Sequence, residues 1–175
     1  MDSILERLMT EEALTQARHA LLAWQIVFSA NANRANPEWA DRVWMGLQSF
    51  ATAFANLSKL FYPIDGRTRG LDTVFGQVNL NPIRDRAFRD HFDHFDERIV
   101  QWVRARGGNV QDRAIRQEAD VGMDPPPDQL RLFDPVAKRL VMRSRDGNTE
   151  EGFDLEPIKN CIVEIEREAR RLLGR

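Results

Sequence analysis

The chain has 175 residues, 42% of them hydrophobic and 30% charged, and a formal net charge of −2 at pH 7. These values describe an ordinary globular protein, and the lack of a basic excess argues against a dedicated duplex-DNA binder. The single cysteine, Cys161, excludes an intrachain disulfide, and no apolar run approaches the ~20 residues that span a bilayer. We therefore expect one soluble, cytoplasmic domain over residues 1–175, with no membrane partner and with Cys161 packed as a small residue.

Two helices are predicted in the first third of the chain. Thr10, followed by two glutamates, resembles a helix start with a capping hydroxyl and acids near the positive end of the dipole, so a helix is expected over 10–30. Pro37 then opens a second helix, expected over 37–61. Its apolar residues follow steps of four and three, which is the spacing of one helix face: Val43, Leu47, Phe50, Phe54, Leu57 and Phe61.

The third predicted helix, over 82–105, combines an apolar stripe with unusual polar chemistry. It opens on Asn81 and Pro82, which suit a helix N-cap and first turn, and a glycine pair ends it. The stripe again follows steps of three and four: Phe88, Phe92, Phe95, Ile99 and Trp102. The other side of the helix is polar and includes Arg86, Arg89, Asp90, Asp93, His94 and Glu97.

A hairpin and a last helix complete the predicted elements. Apolar residues on both sides of Asp134-Pro135 predict two antiparallel strands over 129–143. Asp154 is predicted to cap a final helix over 154–173. We therefore predict an all-α fold, an antiparallel four-helix bundle with a small inserted β-hairpin, in preference to an extended coiled coil. One core is expected to bury Phe50, Phe54, Phe92, Phe95, Ile162 and Ile165.

Arg89, Asp90 and His94 form the candidate catalytic site of the third helix. Positions i and i+5 are about 140° apart around a helix axis, so Arg89 and His94 flank the polar side with Asp90 between them. Arginine binds phosphate oxygens in bidentate fashion, and histidine transfers protons near neutral pH. Two copies of this pair, brought together in a homodimer, have the groups needed to cleave RNA through attack of its own 2′-hydroxyl, without a metal or cofactor.

The sequence Arg89-Asp90-x-x-x-His94, late in a helical domain, resembles the Arg-polar-x-x-x-His signature of the HEPN superfamily (higher eukaryote and prokaryote nucleotide-binding domains). The resemblance implies a commonly dimeric helical protein and, in many members, metal-independent endoribonuclease activity of the toxin or defence type. It implies that Arg89 holds the scissile phosphate, Asp90 orients the pair and His94 transfers the proton. RNA and a protein partner such as an antitoxin are the partners implied.

Two alternatives stay open for these residues. The acids Asp93, Asp96 and Glu97 would repel a phosphate, and a solvated helix face with local ion pairs fits a non-catalytic, dimerising or partner-binding bundle of the same ancestry. A metal site from His91, His94, Asp90 and Glu97 is the other alternative, but a histidine pair on one helix usually needs a third ligand from elsewhere, and the sequence has no other Cys/His cluster. The arginine–histidine spacing also occurs twice, since Arg86 and His91 repeat it.

Overall fold

The computed structural model describes residues 3–63, 70–84, 87–93, 95–106, 111–116, 129–143 and 150–175. The elements of this part are, in chain order, α1 (Ser3–Ala32), α2 (Trp39–Phe61), a 3₁₀ turn (Leu71–Thr73), α3 (Asn81–Arg84), α4 (Ala87–Asp93), α5 (Phe95–Arg106), β1 (Ala114–Ile115), β2 (Arg131–Asp134), β3 (Arg139–Arg143), β4 (Glu150–Asp154) and α6 (Leu155–Leu172). Among these residues no helix has the length and apolar character needed to cross a membrane.

The chain divides into two compact units, one of residues 1–89 with 157–175 and one of residues 90–156. The single domain expected over 1–175 stays a prediction. Five of the six predicted core residues, Phe50, Phe54, Phe92, Ile162 and Ile165, are buried. The side chain of the sixth, Phe95, lies outside the described part of the structure.

Helices α1 and α2 form the centre of the first unit and run antiparallel. Gln16 of α1 is hydrogen-bonded to Asn56, near the end of α2, whereas Val27, later in α1, lies beside Gly46, earlier in α2. The two helices therefore run in opposite directions. A Cβ atom added to Gly46 would lie 2.7 Å from Cγ2 of Val27. The buried face of α1 is mostly alanine, which allows the two helices to approach closely: Ala13, Ala17, Ala20, Ala23 and Ala30.

Helix α1 begins earlier than the sequence predicted. Thr10 is not a cap but lies within the helix, where it is buried and its Oγ1 donates to the main-chain oxygen of Glu6 at 2.8 Å. The hydroxyl therefore meets its hydrogen-bonding need inside the helix. The residues before it, Ser-Ile-Leu-Glu-Arg-Leu-Met, include several good helix formers and extend α1 to Ser3.

Aromatic side chains from α2 fill the core of the first unit. The ring of Phe54 meets that of Phe88 edge-on at 5.0 Å between centroids, and Phe50 lies 6.5 Å from the same ring. Further along α2, Phe61 meets Phe75 edge-on at 5.0 Å. Edge-to-face pairs at these distances add to the stabilisation that burial provides. The apolar stripe predicted on 37–61 is thus the buried face of α2, although the helix begins at Trp39.

The second unit contains the predicted hairpin over 129–143, which the structure confirms. Strands β2 and β3 are antiparallel, with Leu132 opposite Val141 and Phe133 opposite Leu140. Asp134 shapes the turn, because its Oδ1 accepts the main-chain N–H groups of Val136 and Ala137 at 3.0 and 2.9 Å. An aspartate that accepts main-chain N–H groups ahead of it is a common turn device.

The prediction of an all-α, antiparallel four-helix bundle is wrong. The hairpin is the middle of a four-stranded sheet with the order β1-β2-β3-β4, in which β1 is parallel to β2 and β4 is antiparallel to β3. Strand β1 has two residues, and β4 has one large apolar residue, Phe153. Neither segment shows the alternation that predicts a strand. Asp154, expected to cap the last helix, is the last residue of β4 and directly precedes the first residue of α6, so the predicted capping position is compatible with the structure.

Candidate functional site

Helix α4 contains two of the three predicted catalytic residues. Its buried side chains are Phe88, His91 and Phe92, which helical spacing places on one face. Arg89 and Asp90 are positions within this helix, but their side chains lie outside the described part of the structure. His94, between α4 and α5, also lies outside the described residues. The site of Arg89, Asp90 and His94 therefore stays a prediction.

His91 has a partner that the sequence did not reveal. Its Nε2 lies 2.7 Å from Oε2 of Glu151 on β4, and its ring meets that of Phe153 edge-on at 5.5 Å. Glu151 and Phe153 are alternate residues of one strand, so they point to the same face of the sheet. The His91 side chain is 1% exposed, whereas that of Glu151 is 41% exposed. The hydrogen bond therefore joins a buried imidazole to a carboxylate that reaches solvent.

Arg131 lies on the same face of the sheet as Glu151. Arg131 pairs with Met142 on β3, and Met142 pairs with Glu151 on β4. The Arg131 guanidinium donates to both carboxylate oxygens of Asp112, with Nε 2.7 Å from Oδ1. The Arg131 side chain is buried and that of Asp112 is partly exposed. Bidentate pairs of this kind are strong and fix geometry. The guanidinium of Arg131 is thus engaged within the protein.

The cavity that the described residues line beside His91 is too small for a nucleotide. His91, Arg131 and Arg98 line a cavity of about 10 Å³, together with Leu130 and Met142. That volume is near the minimum that one water molecule requires. The cluster has a histidine and an arginine, but the cavity that its described residues line cannot hold a polynucleotide. We conclude that His91, Glu151 and Arg131 stabilise the second unit.

This finding affects two of the sequence-based alternatives. The second arginine–histidine spacing ends at His91, which is buried and bonded to Glu151, while Arg86 lies outside the described residues. A metal site built on His91 would have to compete with Glu151 for Nε2. Within the part of the chain that the structure describes, no group of three or more His, Cys, Asp or Glu residues is arranged to hold a metal ion.

The first unit has an open cleft of about 820 Å³ between the end of α1 and the start of α2. Trp39 lines it, and the Arg34 guanidinium lies 5.1 Å from the ring centroid of Trp39. Glu38 and Arg42 form an ion pair of 3.3 Å on the same rim. The rim thus carries both signs of charge, and the cleft has no strong preference for an anionic or cationic ligand.

Cys161 is buried in α6, as the sequence predicted, and its Sγ donates to the main-chain oxygen of Asn79 at 3.3 Å. Burial, followed by the nearby charge of Glu164, raises the pKa of the Cys161 thiol to about 12. The thiol is therefore protonated at neutral pH, and only the thiolate is a good nucleophile. Cys161 is a packing residue.

Comparison with protein-family models, with curated proteins and with solved structures found no match for this chain. Any functional assignment therefore rests on the residues themselves. Sequence reasoning missed Glu151 and Asp112, the carboxylates that engage His91 and Arg131. No local signal identifies these carboxylates, because each is distant in sequence from its partner and approaches it only in the folded sheet.

Proposed function

We propose that this chain is a HEPN-like endoribonuclease that cleaves RNA without a metal, acts in the cytoplasm and belongs to a toxin–antitoxin or defence system. Its site consists of Arg89, Asp90 and His94. The supporting observation is the burial of His91 and its bond to Glu151. That bond gives one of the two histidines in this stretch a structural role, which leaves His94 as the histidine for chemistry.

The order of residues along α4 supports the same choice. The helix buries positions 88, 91 and 92. Because a helix turns about 100° per residue, positions 89 and 90 follow the buried Phe88 around the axis and precede the buried His91. On α5, Glu97, Val100 and Gln101 are exposed. We propose that Arg89 and Asp90 belong to a polar side of α4 that continues onto the exposed Glu97 and Gln101 of α5.

The proposed reaction is an internal transesterification of RNA. His94 accepts the proton of the 2′-hydroxyl, and the 2′-oxygen attacks the adjacent phosphorus while the bond to the 5′-oxygen breaks. Arg89 stabilises the charge that develops on the phosphate oxygens. The second copy's His94, in its protonated form, gives a proton to the leaving 5′-oxygen. The products are a 2′,3′-cyclic phosphate and a 5′-hydroxyl, and Asp90 orients the arginine and histidine.

A second candidate is a non-catalytic protein that dimerises or binds a partner. The observation that favours it is the exposure of several large apolar side chains on α1, including Ile4, Leu8 and Leu22. Apolar groups exposed together on one face of a helix often mark a protein interface.

Substitutions of Arg89 separate the two candidates. Arg89→Ala is expected to abolish cleavage of single-stranded RNA, and Arg89→Lys to restore only part of it, because lysine lacks the planar fork that binds a phosphate. Arg167→Ala, which removes an exposed arginine of α6, is the matched control and is expected to cleave normally. Asp90→Ala is expected to reduce the rate less than Arg89→Ala.

Two results would reject the ribonuclease proposal. One is the same cleavage rate for Arg89→Ala and wild type, which would identify a contaminating nuclease. The other is no cleavage of any RNA by the purified wild type, which would leave the partner-binding candidate. Loss of activity in EDTA would instead favour a metal-dependent site.

A further inference from the structure

Helix α1 exposes a face that is unusually apolar for a surface helix. Five of its large apolar side chains are between 37% and 68% exposed: Ile4, Leu5, Leu8, Leu22 and Ile26. Isolated exposed apolar residues are ordinary, but four of these, all except Leu5, lie on one side of one helix. At about 100° per residue, Ile4 and Leu22 share one direction, and Leu8 and Ile26 share another about 40° away. They form an N-terminal patch and a C-terminal patch along the helix.

Acidic and basic residues lie between the two patches, the acidic ones toward the N-terminal patch and the basic ones toward the C-terminal patch. Glu11 and Glu12 follow the N-terminal patch, whereas Arg18 and His19 precede the C-terminal patch. Thr15, which is exposed, lies midway. The order of residue types toward the middle of the helix is therefore the same from both ends: apolar residues, then acidic or basic residues, then Thr15. The residues before Thr15 are acidic, and those after it are basic. We call this set of residues, from Ile4 to Ile26, the α1 seam.

We propose that the α1 seam binds the α1 seam of a second copy of this chain in an antiparallel homodimer with its twofold axis at Thr15. In such a pair, residues whose numbers sum to about 30 lie opposite one another. Leu8 then faces the second copy's Leu22, and each glutamate pair faces the second copy's Arg18 and His19. Because the dimer has a twofold axis, each contact between two different residues occurs twice.

The charges select this orientation against a parallel one. In a parallel pair of α1 helices, Glu11 and Glu12 would face the same two glutamates, and Arg18 would face Arg18, so like charges would repel. The present partners of these residues do not prevent the exchange. Arg18 lies 3.6 Å from Glu166, and Glu11 lies 3.4 Å from Arg7. Glu11 also lies 3.6 Å from Arg175. Each of these pairs joins an exposed arginine to a partly exposed glutamate at the surface, where an ion pair contributes little.

A cysteine on the twofold axis tests the register directly. Thr15→Cys in the full chain is expected to form an intermolecular disulfide under mild oxidation, because the new thiol would face the same thiol of the second copy. Thr52→Cys on α2 is the matched control, since Thr15 and Thr52 are both exposed and each donates its hydroxyl to the main-chain oxygen four residues earlier at 3.0 Å. The native Cys161 is buried and common to both variants. Cross-linking of Thr52→Cys as fast as Thr15→Cys would overturn the proposal.

Sedimentation equilibrium measures the strength of the same contact. Leu22→Arg is expected to raise the dimer dissociation constant more than about tenfold, because the dimer loses that contact twice. Val136→Arg changes an exposed apolar residue of the β2–β3 turn and is expected to leave the constant unchanged. Glu12→Lys is expected to weaken the dimer, because the new lysine would face Arg18 of the second copy, and Glu12→Lys with Arg18→Glu is expected to restore it.

A wild-type chain that stays monomeric at every soluble concentration would overturn the proposal. So would a dimer that Leu22→Arg does not weaken. Neither readout requires RNA cleavage. The α1 seam is a different contact from the one that would bring two copies of His94 together, so a dimer that Leu22→Arg does not weaken would reject the seam and leave the ribonuclease proposal standing.

Discussion

Removal of the Glu151 carboxylate is the sharpest test of the structural role assigned to His91. In Glu151→Ala, the Nε2 group of a 1%-exposed imidazole loses the acceptor that lies 2.7 Å away. A buried donor left without a partner costs about 1–3 kcal/mol. Because the Glu151 side chain is 41% exposed, solvent weakens the original bond and water can replace part of it. We therefore expect the free energy of unfolding to fall by about 1–2 kcal/mol.

Glu151→Gln is the matched control, since the amide oxygen keeps an acceptor in the same place. Its expected loss is less than about 1 kcal/mol, because a neutral acceptor forms a weaker bond to Nε2. The measurement is urea unfolding followed by far-UV circular dichroism. The dependence of the unfolding free energy on urea concentration is compared between the variants to confirm that the extent of unfolding is unchanged. Equal midpoints for wild type, Glu151→Ala and Glu151→Gln would refute the structural role of His91.

Three further predictions concern packing and reactivity. Gly46→Ala should lower the free energy of unfolding by about 1 kcal/mol, because the steric clash of a Cβ 2.7 Å from Val27 outweighs the gain in helix propensity. Gly76→Ala should not destabilise the chain, because its Cβ would lie 3.5 Å from the nearest neighbour. Thermal unfolding of the two variants makes this comparison. Phe54→Ala should cost about 3–5 kcal/mol in the same assay. Cys161, with a pKa of about 12, should resist iodoacetamide at pH 8 until the chain is unfolded, and rapid labelling of the folded chain would contradict its burial.

The parts of the fold that could be predicted have strong local signals. The stripe on 37–61 follows helical spacing without a break, and it is the buried face of α2. The apolar residues around Asp134 predicted the β2–β3 hairpin because the turn and both strands occur in one short stretch, 129–143. Burial of an alternating or helical pattern is the main force that orders such segments, so the pattern alone was sufficient.

The rest of the sheet depends on pairing and not on local preference. Strand β4, Glu-Glu-Gly-Phe-Asp, has little intrinsic tendency to be extended, and it is ordered by hydrogen bonds to β3. Strand β1 is held by β2, where Ala114 pairs with Leu132, a residue distant along the chain. Segments of this kind read as loops in a sequence, which is why an all-α fold was predicted where a mixed sheet is present.

The candidate site shows the same limit at the level of single residues. Two histidines three positions apart, His91 and His94, look equivalent in the sequence. The fold gives His91 a partner that the sequence does not reveal, because Glu151 reaches it from a strand sixty residues away, whereas His94 lies outside the described residues. The burial of His91 could not be predicted from the apolar stripe that includes Phe88 and Phe92. A polar residue at the edge of such a stripe can face either the core or the solvent.

The most direct test of the proposed function is the rate at which the purified chain cleaves single-stranded RNA in EDTA, measured for wild type and for His94→Ala. Wild type is expected to leave a 2′,3′-cyclic phosphate, and His94→Ala to be slower by at least about 100-fold while it unfolds at the same urea concentration. Equal cleavage rates for the two proteins would contradict the proposal that His94 is the catalytic histidine.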